Sequence, residues 1–288
     1  MNSRALTITF LTPVSFASLN GSDKEVDNMS SIKKITRDTE RYPYVSAQAV
    51  RRALRDQLAV LEYPMSESVA ATVKKGAATT LQDPEKYIDD DLFGFMGTEK
   101  DKAAQKRTSV IRVSPLISMS KYEGDLDFGT NYMGVTAGGT PNIYETEIHS
   151  GTYRGTLLIE LDRVGQGEGF SHPLTGTEKA DRVKALLAAF QNLWSSGRQS
   201  RFLADISPKF LAAALMSVKT PIFLETLIPS AEGVETASLE ETLKDYGEYI
   251  QKSVYGAHQG MFSTVPANTV TIGEAFKRMA DWIDGAYA

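Results

Sequence analysis

The sequence predicts an α+β fold, and three observations carry that prediction. Near the start, Leu6, Ile8 and Phe10 alternate with Thr7 and Thr9, the period of a strand. Further on, Ala47, Val50, Leu54, Leu58 and Leu61 recur at helical spacing and make one apolar stripe. Beyond them the elements follow in the order strand, helix, strand, strand, helix, strand, interrupted by long insertions.

The elements are read off in chain order. Residues 3–11 form a strand. Residues 12–45 read as a polar Ser/Asn/Asp-rich loop containing Asn20-Gly21, and residues 46–62 as a helix that Ser46 caps with its hydroxyl. Residues 64–108 read as an insertion with Pro64, Gly76, Pro84, an Asp89-Asp90-Asp91 run, Gly94 and Gly97 around an apolar island, Leu92 to Met96. Ser109 to Lys121 is a strand kinked by Pro115. Tyr122 to Ser150 is irregular and projecting, and Thr152 to Leu161 is the return strand. Thr175-Gly176-Thr177-Glu178 is a capping box that opens a helix ending before Gly197, with the stripe Val183, Leu186, Leu187, Phe190 and Trp194. Phe202 to Ile206 reads as a strand, while Leu211–Met216 is ambiguous, since its alanines favour helix on propensity. Ser238-Leu239-Glu240-Glu241 and Thr271-Ile272-Gly273-Glu274 open two more helices, with stripes Leu239, Leu243, Tyr246, Ile250 and Ile272, Phe276, Met279, Ile283. This is the split βαβ, ferredoxin-like order that also underlies RNA-recognition modules.

The 288 residues fit one large domain or two modest ones, and 42% apolar with 23% charged residues is ordinary for a globular chain. The absence of cysteine excludes disulfides, thiolate metal sites and a cysteine nucleophile, and suits the cytoplasm. Arg4 followed by an apolar run resembles a leader. However, the alternation is that of a strand, and Pro13 and Ser15 break the run, so a strand is expected instead. No stretch is long enough to span a membrane.

The charge distribution is uneven. The chain carries a net charge of −5, yet Lys33, Lys34, Arg37, Arg41, Arg51, Arg52 and Arg55 face only Asp38 and Glu40 between Ser31 and Arg55. Gln48, Arg51, Arg52 and Arg55 lie off the apolar stripe at the helix start, where free N–H groups and guanidinium forks suit a polyanion; a solvated face is the other reading.

Other chemistry is sparse. No phosphate-gripping G-x-x-x-x-G-K-[ST] loop and no G-x-S-x-G are present. Gly165-Gln166-Gly167-Glu168-Gly169 lacks dinucleotide spacing and reads as a flexible turn. His149, His172 and His258 are scattered, so neither a metal nor another cofactor is expected. Asp89-Asp90-Asp91 reads as an exposed turn rather than a cation site. Asp125 and Asp127 read as turn formers, with metal or water positioning as the alternative. Phe93, Phe95 and Met96 form a small satellite core or a wedge between bases, and Phe128, Tyr132, Met133 and Tyr144 pose the same choice.

Several stretches together resemble the backbone subunit of type I CRISPR effector complexes (Cascade), in the DevR-type branch found in type I-B systems. Val45 to Arg55 is similar to that family's Ser-x-Gln-x-x-basic-Arg-Ala helix start. Asp91 to Met96 is similar to its Phe-Gly-x-Met segment. Arg107-Thr108-Ser109 through Leu116 is similar to its strand into the projecting loop, and Glu147 to Gly155 to its return strand. The resemblance runs from residue 3 to about residue 206 and weakens beyond.

It implies an RNA-recognition-like palm (1–63, 109–121 and 151–288), an inserted finger region (64–108) and a thumb loop (122–150). It implies a non-catalytic subunit, with copies joined head to tail along CRISPR RNA, other Cascade subunits beside them, and target DNA bound by guide pairing. Asn20, Ser46, Gln48, Arg51, Arg52, Arg55, Phe95, Met96, Arg107 and Arg154 are the RNA-contacting residues on this reading. Two alternatives stand beside it: a type III-like subunit cutting target RNA with a thumb aspartate, and a DevR-type regulator.

Overall fold

The computed structural model describes residues 2–21, 28–66, 79–97, 106–132, 135, 138–194 and 201–288; of the aromatic and methionine candidates, Met133 lies outside them. Strand β1 (Ala5–Ala17) is followed by β2 (Met29–Ser30), β3 (Lys34–Arg37) and β4 (Glu40–Val45), which lead into helix α1 (Ala47–Val60). The insertion holds α2 (Ile88–Phe93), β5 (Phe95–Met96) and β6 (Lys106–Arg107). Next come β7 (Ile111–Val113), β8 (Leu116–Ser118), β9 (Leu126–Asn131), β10 (Asn142–Glu147) and β11 (His149–Glu160). The remainder is α3 (Gly176–Gln191), β12 (Phe210–Met216), β13 (Pro229–Ser230), β14 (Gly233–Val234), α4 (Thr236–Asp245), β15 (Ile250–Ala257), β16 (Val270–Thr271) and α5 (Ile272–Tyr287).

The main sheet runs β16-β15-β12-β1-β11-β8-β4-β3, with β7 also on β11. At its centre β1 lies antiparallel to both neighbours, pairing Ala5 with Glu160 and Met216. Helices α1, α3 and α5 cover one face, where Val50, Leu54, Leu186, Phe190, Phe276 and Met279 meet Leu6, Ile8 and Phe10. On the opposite face Leu11, Phe210, Ala212 and Ala214 pack against Phe223, Leu227, Leu239, Tyr255 and Phe262. Thr7 and Thr9 are therefore fully buried despite their place on the polar side of the alternation; the Thr9 hydroxyl meets that of Thr156 at 2.8 Å.

The sheet departs from the sequence reading where tertiary contacts decide. Leu211–Met216 is strand, not helix. It sits between β1 and β15 with both faces covered, where small side chains let the layers close and helix propensity is outweighed. Residues 12–45 are not one loop, because β1 continues to Ala17 and β3 and β4 form a hairpin with a tight turn at Asp38 and Thr39. Residues 122–150 contain the β9–β10 hairpin, and β2 adds in parallel to its edge. Phe202 to Ile206 is not a strand and makes a single bridge, Asp205 to Trp194.

Capping boxes predict three helix starts. The one at Thr175 is complete, and Thr271 accepts the Glu274 N–H at 3.2 Å. Ser238 is no cap, since α4 already begins at Thr236. In α1 the stripe holds at Val50, Leu54 and Leu58. Leu61 falls on the exposed side of the helix end, and Gln57 is buried in its stead.

The insertion is fixed by charge as well as by apolar contact, for Ile88, Leu92 and Phe93 join the main core. Asp89, Asp90 and Asp91 are buried in the short helix α2, which corrects the exposed-turn reading. Asp89 accepts the Ser66 N–H at 2.8 Å and Asp90 the Asp83 N–H at 3.0 Å. Asp91 receives the Arg107 guanidinium, Arg182 of α3 at 2.7 Å and the Gly165 N–H at 3.0 Å. The glycine-rich turn is thus not free: its Gln166 and Glu168 carbonyls accept Arg107 at 2.9 and 3.0 Å, with Gly165, Gly167 and Gly169 in the left-handed region. Gly94, at φ 69°, passes so close to β6 that an added Cβ would lie 2.2 Å from the Arg107 carbonyl.

Removing the shared acceptor leaves two buried guanidinium groups unpaired. Asp91→Ala is expected to cost about 3–5 kcal/mol in urea unfolding, far more than Asp56→Ala, whose partner Arg52 is exposed.

Candidate nucleic-acid interface

Helix α1 starts at the sheet edge formed by β4 and β3. Ser46 caps it through the Ala49 N–H at 3.3 Å, and Asn20 holds the cap by accepting the Ser46 N–H at 2.9 Å. Asn20 is thereby a residue that fixes the angle of the helix start. Gln48 is exposed beside it, and Arg52 is 75% exposed with only an intrahelical partner, Asp56, at 2.8 Å.

Arg51 and Arg55 point toward the insertion and flank the buried Phe93 ring, 5.5 and 4.4 Å from its centre. Arg51 donates to the Phe93 carbonyl at 2.6 Å and the Ser109 hydroxyl at 3.2 Å, both neutral acceptors. Burial, then the nearby Arg55 and Arg112 charges, lower its pKa below the ordinary arginine value. Arg55 is lowered by burial too, more than Asp89 and Asp90 restore, and its contact with Asp89 is a loose 3.7 Å. The helix start thus carries positive charge that the described residues neutralise only in part, with Arg51 on neutral acceptors alone, an anion-binding arrangement. Exposed Arg37 and Arg41 on the β3–β4 hairpin extend it. Lys34 does not contribute, because its ammonium is drawn onto the buried Glu147 and stacks 4.4 Å from the Tyr122 ring centre.

Arg55, Met96 and Arg52 border an open groove of ≈ 370 Å³ with Asp89, Thr79 and Thr80. Met96 is 70% exposed at its rim, whereas Phe95 is buried and Phe93 belongs to the main core. Arg107 is not presented to any ligand, as its side chain is fully buried and committed to Asp91 and four backbone carbonyls. Arg154 is likewise folded inward onto Glu225 and the Leu227 carbonyl. The predicted residues therefore separate into a group at the α1 start (Ser46, Gln48, Arg51, Arg52, Arg55, Met96), and Asn20, Phe95, Arg107 and Arg154, which shape the protein from within.

The projecting hairpin has two unlike faces. Leu126, Phe128 and Ile143 are exposed on one, with Tyr132 exposed near its end. On the other, Arg201 pairs with Asp127, donates to the Thr146 hydroxyl at 3.2 Å and stacks 4.6 Å from the Tyr144 ring. Nothing in the sequence signals this clamp, since Arg201 lies 74 residues from Asp127. At the hairpin root His149 is buried, with Nε2 2.9 Å from the Ser118 hydroxyl. No cluster able to hold a metal ion is found among the described residues, and none of their helices is long and apolar enough to cross a membrane.

His149 gives the hairpin root a pH dependence. Burial lowers its pKa below 6.5, more than the Asp125 carboxylate restores. Unfolding then takes up a proton at acidic pH, so His149 keeps its full contribution above pH 6.5 and loses it as pH falls below that value. His149→Gln is expected to flatten the fall in unfolding free energy between pH 6.5 and pH 5, measured by urea titration at each pH.

Known proteins place these features in a family. Residues 8–234 match the family described as "CRISPR-associated negative auto-regulator DevR/Csa2". A protein of Myxococcus xanthus (strain DK1622), "CRISPR-associated protein Cas7/Cst2/DevR", is 31% identical over 255 residues, covering 82% of this chain and 80% of that protein. Two solved chains share the fold. One, from a "CRISPR RNA-guided surveillance complex", has a TM-score of 0.61 at 16% identity over 96% of this chain and 99% of its own length. The other, from such a complex described as pre-nicking, has a TM-score of 0.62 at 14% identity over 97% and 99%. The chain belongs to the DevR/Csa2 family of CRISPR-associated proteins and is of the Cas7 type.

Proposed function

We propose that this chain is a non-catalytic backbone subunit of a CRISPR RNA-guided complex. Its copies line up head to tail along the guide RNA and grip the phosphate backbone, and the spacer is left to pair with target DNA. The observation that carries the reading is Arg51, half-buried on neutral acceptors with Arg55 and Arg112 as its charged neighbours. A phosphate is the partner such a group lacks among the described residues. Exposed Arg37, Arg41 and Arg52 continue the positive track. Phosphate contacts carry no base information, which suits a subunit that must serve any spacer.

A palm of RNA-recognition type is supported by the order β12-β1-β11-β8, in which the fourth, first, third and second core strands lie side by side. In this chain the face of those strands opposite α1, α3 and α5 is closed over by Phe223, Leu227, Leu239 and Phe262. RNA is thereby directed to the α1 start and the hairpin edge rather than to stacking on the sheet. The finger (64–108) is seated by Asp91, and the thumb (122–150) projects Phe128 and Tyr132. Cleavage through Asp127 finds less support, because Arg201 holds that carboxylate.

The test is co-expression with a repeat-spacer array. Wild-type protein is expected to purify as large particles containing guide RNA. The Gln48→Ala/Arg52→Ala pair should retain several-fold less RNA. Its salt dependence of binding should fall by about 0.7 in log–log slope for each phosphate no longer neutralised. Equal RNA content and equal slope would refute the assignment of the α1 start.

A further inference from the structure

The last part of the chain, beyond residue 234, lies outside the family match and contains α4, β15, β16 and α5. Here the main sheet ends in an uncovered edge. Strand β15 pairs with β12 along its length, but β16 covers only Gly256 and Ala257 on the other side. Next to that short pairing, at Ser253 and Val254, the outer edge has no strand partner among the described residues. The His258 N–H points to the Lys209 carbonyl on the β12 side, so by two-residue alternation the amide and carbonyl of Ser253 and Tyr255 face outward.

That edge opens into a groove of ≈ 370 Å³ between α4 and the 266–268 loop. Glu240 and Leu243 form one wall, Pro266 and Asn268 the other, and Ser253 and Tyr255 the floor. Tyr255 is 8% exposed, and its hydroxyl has no hydrogen-bond partner among the described residues. Burial and the Glu240 carboxylate push its pKa up to about 12, which keeps it a neutral donor. The cation lining the groove, Arg278, is already paired with Glu274 at 2.9 Å. The α4 region is strongly acidic, with six acidic residues and one lysine from Glu232 to Glu248.

We propose that the β15 edge is a docking site for an extended, basic peptide segment of a partner protein, which adds as a strand beside Ser253 and Tyr255 and places a cationic side chain against Glu240. Main-chain hydrogen bonds supply the attachment, and the acidic wall supplies the choice of sequence. An open edge without an occupant invites unspecific pairing; the exposed Lys252 on β15 guards against that in the free protein.

The test uses the full chain and two fluorescein-labelled pentapeptide mixtures with Val, Ile and Thr at four positions, one with Lys and the other with Glu fixed at the centre. Anisotropy is expected to show the Lys set binding at least tenfold tighter. Amide exchange at Ser253 and Tyr255 should slow on binding. Glu240→Lys should invert the preference, and Ser253→Pro, which removes an outward N–H, should abolish binding of both sets. Glu240→Lys lies on an exposed helix face and keeps the test decisive if the proline variant fails to fold. No binding, equal binding of the two sets, or protection confined to other segments would overturn the proposal. None of these outcomes bears on RNA binding at the α1 start.

Discussion

Two guanidinium groups close on one carboxylate inside this protein, and the placement of everything around the arginine-rich helix α1 depends on it. Asp91 sits in α2 of the insertion, Arg107 in the strand that leaves it, and Arg182 on α3 beneath. Arg107 also gathers the carbonyls of Asp91, Arg163, Gln166 and Glu168, so a glycine-rich turn is wrapped around a buried charge. A buried ion pair of this kind is a poor source of net stability, because desolvation offsets most of the attraction. What it supplies is a single arrangement: each donor has one place to go, and breaking any of these bonds strands a charge in the interior.

The consequence reaches the surface through Phe93. With α2 locked, its last residue lies between Arg51 and Arg55, which holds both guanidinium groups near the insertion instead of letting them spread into water. Their charge is then concentrated, poorly hydrated and weakly countered by acid, while Arg52 beside them stays at the surface. The same helix start is braced from the other side by Asn20 and the β3–β4 hairpin. Interior electrostatics thus prepares the exterior.

The sheet sets a second constraint. Both its faces are covered around β1, which leaves sheet edges, helix ends and projecting hairpins as the open surfaces. One edge carries the cationic hairpin β3–β4. The other, at β15, is flanked by the acidic α4 region and lies beyond the family match. The two ends of one sheet therefore have opposite charge, which accounts for an acidic protein with a basic face.

The α+β class, the central strand, the Ser46, Thr175 and Thr271 caps and the stripes of α1, α3 and α5, apart from the exposed Leu61 and Trp194 that end the first two, are legible in the residues alone, because they rest on local periodicity and on hydrogen bonds spanning three residues. The basic helix start is legible too, since charge density along the chain is visible without a fold. Which of those charges remain available is a matter of packing. Arg107 and Lys34 count as cations in the sequence, yet their partners are Asp91 and Glu147, 16 and 113 residues away. The same holds for the alanine run at β12, where burial on two faces overrides helix propensity. It holds again for the aspartate run, whose polarity suggests exposure although Arg107, Arg182 and backbone amides enclose it. Partners far apart in the chain are chosen by packing, and no local pattern records that choice.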